Sequence, residues 1–191
     1  VAAPYGVPNY TKLEELLDVS DAIVVAVPAV YHADLVRRAL AADKHVLVEK
    51  PLALTESVAR DLAGEAVKKG LILQVGHQER FVAKAMGMFR IEETPKLMES
   101  IRFSPPSPEG RAGDVSVIWD LMIHDLDLAG CLIPGKFTSV EATGKKIHTD
   151  HLDEATAQFT YSSGAKAILK ASRAAEARER KMRVVYETGE I

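Results

Sequence analysis

The chain has 191 residues, of which 47% are hydrophobic and 27% charged, and its formal net charge is −3 at pH 7. This length suits one large or two small domains with a substantial core, and the charge, without a long basic run, argues against a nucleic-acid-binding surface. The single cysteine, Cys131, excludes an intrachain disulfide framework and fits a reducing compartment, and no apolar run reaches the ~18 residues of a membrane span. We therefore expect a cytoplasmic protein without nucleic-acid or membrane partners.

Apolar runs alternate with segments of helical periodicity in the first part of the chain. The run Ala22–Val27 is entirely apolar, and so is Val46–Val48, a pattern typical of strands buried on both faces of a sheet. Thr11 and Thr55 are candidate N-caps, and Gly70 marks a helix C-terminus. Because strands and helices alternate over short connections, we predict a parallel sheet wound by right-handed crossovers. The predicted elements are a helix over Lys12–Asp18, a strand over Ala22–Val27, a helix over Asp34–Ala42, a strand over His45–Val48, a helix over Thr55–Lys69 and a strand over Leu71–Val75.

Beyond Arg80 successive strands follow one another with few helices between them, which predicts an α+β domain with a mostly antiparallel open sheet. Ser162-Ser163-Gly164 has the composition of a hairpin turn, and the proline- and glycine-rich segment Ser104–Gly113 that of a loop. We therefore divide the chain into domains 1–80 and 81–191. The predicted elements here are helices over Phe81–Arg90 and Val117–Leu132, and strands over Lys96–Phe103, Thr138–Gly144, Ala155–Tyr161, Ala165–Ser172 and Met182–Glu187.

A charged break follows the strand predicted at His45–Val48. The strand runs into Glu49-Lys50-Pro51, and the proline lacks the N–H that a central strand needs. Charges at the carboxyl end of a buried parallel strand lie where open α/β sheets bind their ligands. A surface turn with an ion pair is the alternative for an isolated Lys-Pro pair. Pro28 ends the preceding strand, and His32, most simply a residue at the start of the next helix, belongs to the same edge.

Asp120 and His124 interrupt an otherwise apolar predicted helix. Residues four apart lie on one helical face, and a carboxylate beside an imidazole orients it and stabilises its cation, which is how a proton acceptor is built. A surface pair without catalytic function is the alternative. The apolar residues around the pair favour burial beside a cleft.

Two groups of residues have the types that bind metals, but neither has a standard zinc spacing and no cysteine joins them. We therefore predict no metal site. The residues considered are Asp120, His124, Asp125 and Asp127 in one group, and His148, Asp150, His151 and Asp153 in the other.

Four motifs occur along the chain: Pro28-x-x-x-His32, Lys44-His-Val-Leu-Val-Glu-Lys-Pro51, Gly76-His-Gln-Glu-Arg-Phe81 and Asp120-Leu-Met-Ile-His-Asp125. In this order and spacing they resemble the glucose–fructose oxidoreductase / inositol dehydrogenase / MocA family of NAD(P)-dependent sugar oxidoreductases. The resemblance spans essentially the whole chain. It implies an N-terminal Rossmann domain, here incomplete at its N-terminus, and a C-terminal domain with a large open sheet.

The resemblance also implies roles for individual residues. Lys50 would contact the hydroxyl that is oxidised, His124 would accept its proton, and Asp120 would support His124 and the substrate. These three are the expected catalytic residues. The expected cofactor-binding residues are Pro28, His32, Glu49, Lys50 and Pro51, and the expected substrate-binding residues are Lys50, His77, Arg80, Asp120 and His124.

The sequence departs from the family in lacking a G-x-G-x-x-G turn, which holds the pyrophosphate in dinucleotide-binding sheets. We expect the natural protein to carry a strand and a Gly-rich turn before Val1; without them the chain would not be a dinucleotide binder. The residue that would contact the adenosine ribose is also absent, so NAD and NADP both remain candidate cofactors.

Within the family, the tract Arg111–Arg183 is similar to a bacterial branch that oxidises the C3 hydroxyl of UDP-N-acetylglucosamine. We therefore expect an enzyme that transfers hydride between a sugar or nucleotide-sugar carbinol carbon and nicotinamide. A non-catalytic sensor or regulator that binds the cofactor is one alternative, and a reductase of another carbonyl substrate is a second. We also expect a homo-oligomer, a dimer or tetramer, formed through an outer sheet face that carries Phe159, Ile168 and Leu169.

Overall fold

The computed structural model of the chain describes residues 3–107 and 113–191. These residues form two compact units, the first ending at Gly76 and the second beginning at His77. The sequence-based division lies near Arg80. No helix in the described part of the chain is both long and apolar enough to cross a membrane.

The first unit contains a three-stranded parallel sheet in the order β1-β2-β3. The predicted parallel sheet is therefore confirmed. Its elements are α1 (Leu13–Asp18), β1 (Ala22–Val25), α2 (His32–Ala41), β2 (His45–Glu49), α3 (Glu56–Lys69) and β3 (Leu73–Gly76).

Local capping signals set the ends of α3. Thr55 is its N-cap and accepts the N–H of Val58 at 3.4 Å, and Gly70 ends the helix in the left-handed region at φ +65°. Both predictions are confirmed. The N-cap predicted at Thr11 is wrong, because α1 begins one residue later and its cap position is Lys12, which makes no side-chain capping bond.

The sheet of the first unit buries one face. Val24 in β1 and Leu47 in β2 are 69% and 40% exposed, so the prediction of strands buried on both faces is wrong for the described residues. The reason is that α2 and α3 pack into one and the same apolar cluster. Members of that cluster include Leu17, Ile23, Val25, Val36, Leu40, Val46, Val48, Leu62 and Ala66.

The second unit contains a five-stranded sheet in the order β5-β6-β7-β4-β8. Strands β4 and β7 are parallel, whereas the pairs β4–β8, β5–β6 and β6–β7 are antiparallel. The prediction of a mostly antiparallel sheet is therefore confirmed. The elements are α4 (Glu79–Ala85), β4 (Leu97–Phe103), a π-helical segment (Ile118–Met122), α5 (Ile123–Leu132), β5 (Phe137–Lys145), β6 (Glu154–Tyr161), β7 (Lys166–Ser172) and β8 (Glu179–Val185).

Two predicted helices differ from those observed. The helix predicted over Phe81–Arg90 ends at Ala85, because Gly87 takes the left-handed region at φ +81° before a separate 3₁₀ turn. The helix predicted over Val117–Leu132 is not uniform, since five π-helical residues precede α5.

The remaining predictions concern the strands and loops of this unit. The last strand lies earlier than predicted because it pairs with β4 along its whole length, from Glu179 opposite Phe103 to Val185 opposite Leu97. The hairpin turn before β7 is confirmed, with Gly164 at φ +84°. Part of the predicted Ser104–Gly113 loop, residues 108–112, lies outside the described residues.

Alternation along β6 and β7 corrects the predicted outer sheet face. Leu169 is fully buried in the core, and Phe159 packs against the same core. Ile168 alone of the three predicted residues points to the other face, since side chains alternate along a strand. This core also contains Met98, Met122, Leu128, Ala129, Ile133, Ala157, Ala167 and Val184.

Candidate active site

The strands of the first unit end at one edge, where the Glu49-Lys50-Pro51 motif lies. β2 ends at Glu49, opposite Gly76 of β3, and the Lys50–Pro51 peptide bond is cis. A β-carbon on Gly76 would lie 3.3 Å from Oε1 of Glu49, tighter than ordinary contact. Glycine therefore gives the Glu49 carboxylate room over the end of β3. Gly76 belongs to one of the four motifs, but the motif alone does not reveal this steric role.

His32 joins the loops that follow β1 and β2. The residue begins α2 and is buried. Its Nδ1 lies 2.6 Å from the carbonyl oxygen of Pro51, and its Nε2 lies 2.9 Å from that of Val27. Hence His32 fixes the position of the Lys50–Pro51 segment relative to the loop that contains Pro28.

The chemistry of this edge fits the nicotinamide end of a dinucleotide. Val27 and Val30, on either side of Pro28, expose apolar surface, and Glu49 and Lys50 are partly exposed at the next strand end. Apolar surface suits the nicotinamide ring, and a carboxylate with an ammonium group suits ribose hydroxyls and a reacting oxygen. These residues would hold that end of the cofactor.

In the second unit, Asp120 and His124 lie on either side of a change in helix type. Asp120 lies in the π-helical segment and His124 is the second residue of α5. Both side chains are half-buried. Single π-helical turns within helices occur frequently at functional sites. The structure therefore replaces the uniform predicted helix with a local irregularity between the two predicted catalytic residues.

A buried arginine holds the residue directly after His124. Arg102 of β4 donates from Nη2 and Nε to the two carboxylate oxygens of Asp125 at 2.8 and 3.1 Å, and its Nη1 lies 3.2 Å from Oε1 of Glu79. Burial lowers the pKa of Arg102, but the bonds and charges of Asp125 and Glu79 outweigh it, so the pKa lies above its ordinary value. This two-pronged contact ties α5 to the sheet.

A second arginine holds α5 from α4. Arg80 donates from Nε and Nη2 to the carboxylate of Asp127 at 2.7 and 2.5 Å, and these bonds raise the pKa of Arg80. Nδ1 of His77 lies 3.6 Å from the same carboxylate. Two residues predicted to bind substrate, His77 and Arg80, therefore meet at Asp127, three residues after His124.

Several acidic residues once considered as metal ligands have other partners. Asp125 and Asp127 are bonded to arginines, and Asp153 accepts from Arg173 and from backbone N–H groups. Across residues 3–107 and 113–191, no three His, Cys, Asp or Glu side chains are grouped as metal ligands would be.

Neither Arg102 nor its contact with Asp125 was predicted from the sequence. Alternation along β4 was the available signal, because it places Arg102 on the same face as the buried Met98 and Ser100. A buried arginine requires an acidic partner. That partner lies 23 residues away in sequence, and no local pattern identifies it.

Comparison with known proteins places both units in one family. Residues 1–77 match the family model described as "Oxidoreductase family, NAD-binding Rossmann fold", and residues 98–191 match the GFO/IDH/MocA C-terminal domain. UDP-N-acetylglucosamine 3-dehydrogenase of Acidithiobacillus ferrooxidans is 35% identical over 189 residues, which are 98% of this chain and 59% of that protein. The NAD(+)-dependent scyllo-inositol 2-dehydrogenase of Bacillus subtilis is 26% identical over 166 residues, 80% of this chain and 48% of that protein.

The fold agrees with solved structures. A structure of the Acidithiobacillus ferrooxidans UDP-N-acetylglucosamine 3-dehydrogenase matches with a TM-score of 0.89 at 33% identity, covering 97% of this chain and 61% of that one. The chain thus spans less than two thirds of the length of each of these relatives. The family resemblance drawn from the motifs is confirmed: the chain belongs to the GFO/IDH/MocA family of oxidoreductases.

Proposed function

We propose that the full-length protein is an NAD(P)-dependent dehydrogenase that acts on a hydroxyl group of a sugar or nucleotide sugar. The observation that carries the proposal is the arrangement around His124, which lies next to a π-helical turn bearing Asp120, on a helix held by Arg80 and Arg102. A regulator that only binds a cofactor has no need of Lys50, Asp120 and His124 together. UDP-N-acetylglucosamine, oxidised at C3, is the substrate that the name of the Acidithiobacillus relative supports.

Each proposed catalytic residue has a separate role. His124 removes the proton from the substrate hydroxyl as the carbon–oxygen bond gains double-bond character. Asp120 orients the imidazole and stabilises its cation. Lys50 contributes positive charge to the oxygen, which stabilises its developing negative charge. A bound nicotinamide would supply the acceptor for the hydride of the carbinol carbon.

The remaining sequence-based assignments form part of the same proposal. Pro28, Glu49 and Pro51 contribute to the cofactor site, with His32 fixing their loops from within the unit. His77 and Arg80 contribute to the substrate site through their shared contact with Asp127.

A panel assay of the full-length protein tests the proposal. Purified protein is mixed with NAD⁺ or NADP⁺ and with UDP-N-acetylglucosamine, other nucleotide sugars, free sugars or inositols, and cofactor reduction is followed by absorbance. We expect turnover with at least one of these substrates and its loss in His124→Ala. Cofactor binding without turnover in either direction would favour the regulator, and turnover only with carbonyl compounds outside the sugar classes would favour the other reductase.

We also propose a cytoplasmic homo-oligomer. The single cysteine fits a reducing compartment. Strand β5 is exposed along its whole length and carries Phe137 and Val140 at an edge of the sheet, where another chain can pack. Light scattering at micromolar concentration should give at least a dimer mass for the full-length protein, and a monomer mass would refute the oligomer.

A further inference from the structure

Asp153 precedes β6, and its fully buried carboxylate organises the loop after β5. Its Oδ2 accepts the N–H groups of Ile147, His148 and Thr149 at 2.7, 2.7 and 3.0 Å. Its Oδ1 accepts from the Thr149 hydroxyl at 2.9 Å and from Nε of Arg173 at 2.7 Å. Burial raises the pKa of Asp153, but the backbone N–H groups and the guanidinium outweigh it and hold the pKa well below its ordinary value. The carboxylate is therefore charged at neutral pH.

Arg173 and the loop together fix the segment that leads to the π-helical turn. The buried Arg173 donates from Nη1 to the carbonyl oxygen of Val115 at 2.7 Å. Two residues later, the N–H of Val117 donates to the carbonyl oxygen of Leu152 at 2.8 Å. Leu152 directly precedes Asp153, so the ion pair and its loop hold this segment at two backbone points.

Ser116, the residue between these two points, makes the bonds that lead into the π-helical segment. Ser116 Oγ accepts the N–H of Ile118 at 3.2 Å. Its carbonyl oxygen lies 2.9 and 3.1 Å from the backbone nitrogens of Trp119 and Asp120. The position of Asp120 therefore depends on how Ser116 is held. The position of His124, one turn further along, depends on it as well.

We propose that Asp153 and Arg173 are positioning residues for the reaction: their ion pair sets the start of the π-helical turn and thereby the orientation of Asp120 and His124. The catalytic consequence rests on the proposed function, whereas the effect on His124 does not. An ordinary structural ion pair would change stability alone.

Four variants separate these roles. Arg173→Lys keeps the charge but cannot reach Asp153, Val115 and Thr149 together, because an ammonium group lacks the planar fork of a guanidinium. Thr149→Val removes the hydroxyl that contacts both Asp153 and Arg173. This variant takes the place of Arg173→Lys in the test if Arg173→Lys fails to fold. Thr149→Ser keeps that hydroxyl. The matched control is Arg178→Lys, at an exposed arginine just before β8.

Three quantities are measured on the full-length protein: the NMR signals of the His124 ring in histidine-labelled protein, assigned with His124→Gln; kcat and KM; and the cofactor dissociation constant. We expect Arg173→Lys and Thr149→Val to shift the His124 signals. For Arg173→Lys, kcat should fall about 10- to 100-fold, as for a misplacement of roughly 1 Å. The cofactor dissociation constant should stay within about twofold, since neither Arg173 nor Thr149 belongs to the proposed cofactor site.

The outcomes distinguish this inference from the function. Unmoved His124 signals in both Arg173→Lys and Thr149→Val overturn the positioning role, even if the wild type oxidises a sugar. Shifted signals in a protein that turns over no substrate support the positioning role and overturn the proposed function. Equal effects of Thr149→Ser and Thr149→Val, or an effect of Arg178→Lys as large as that of Arg173→Lys, also overturn the inference.

Discussion

The guanidinium of Arg102 bonds both carboxylate oxygens of Asp125, at 2.8 and 3.1 Å, and both side chains are buried. Asp125 directly follows His124 on α5, so this contact fixes the helix at the position where the proposed proton acceptor lies. Two parallel bonds between a guanidinium and a carboxylate also fix the relative orientation of the two side chains.

Removing Arg102 should destabilise the protein strongly. Arg102→Met leaves the carboxylate of Asp125 buried without its partner, and the free energy of unfolding should fall by about 3–5 kcal/mol. Denaturant unfolding measures the difference. Arg180→Met is the control, because Arg180 is exposed and lies 3.7 Å from Glu79, so its loss should cost at most about 1 kcal/mol. Comparable costs for the two variants would contradict the role of the buried pair.

The charge of Asp153 should give a pH-dependent contribution to stability. Its folded-state pKa is lowered, so the contribution is complete above the unfolded pKa of about 3.9 and is lost as pH falls below it. Asp153→Asn should therefore be less stable than the wild type at neutral pH, and the difference should shrink below about pH 4. Denaturant unfolding across this range checks the sign. A difference that grows on acidification would show that the carboxylate is not the stabilising form.

Some of the fold could be predicted because its signals are local. Thr55 and Gly70 cap α3 through bonds within a few residues, and the apolar runs of β1 and β2 identify strands directly. The arginine contacts could not be predicted, because Arg102 meets Asp125 only once β4 and α5 have packed. The π-helical turn at Asp120 depends in the same way on distant residues that hold its first turn.

The same limit explains the errors about burial. An apolar run shows that a strand can be buried, but it does not show which elements cover each face, and Leu47 is exposed for that reason. On β6 and β7 the composition suggested an apolar outer face, whereas the pleat turned Leu169 inward. The residue types of the candidate site were readable from sequence, and the contacts that hold them required the three-dimensional structure.

Gly76→Ala should weaken cofactor binding with little effect on folding. The added methyl group would meet Oε1 of Glu49 at 3.3 Å, and the carboxylate must then move from the end of β3. We expect the cofactor dissociation constant to rise about 3- to 10-fold, equivalent to roughly 0.7–1.4 kcal/mol. Gly64→Ala is the control, because its methyl group meets nothing within 4 Å in the interior of α3 and should stabilise the helix by about 1 kcal/mol. Unchanged binding in Gly76→Ala would remove Glu49 from the proposed cofactor site.

Replacing His124 tests the proposed mechanism most directly. If its imidazole removes the hydroxyl proton, His124→Ala should lower kcat by roughly 10²–10⁴-fold and leave cofactor affinity nearly unchanged. The fall of kcat toward low pH, which reports protonation of the base, should disappear in this variant. Lys50→Met should also lower kcat, because the developing negative charge on the oxygen loses its cation, and Asp120→Asn should have a smaller effect if Asp120 only orients His124.

The control is His148→Ala, at an exposed loop histidine. Single-turnover hydride transfer is the decisive measurement, since it isolates the chemical step from product release. Equal rates in the wild type and His124→Ala would mean that another group accepts the proton.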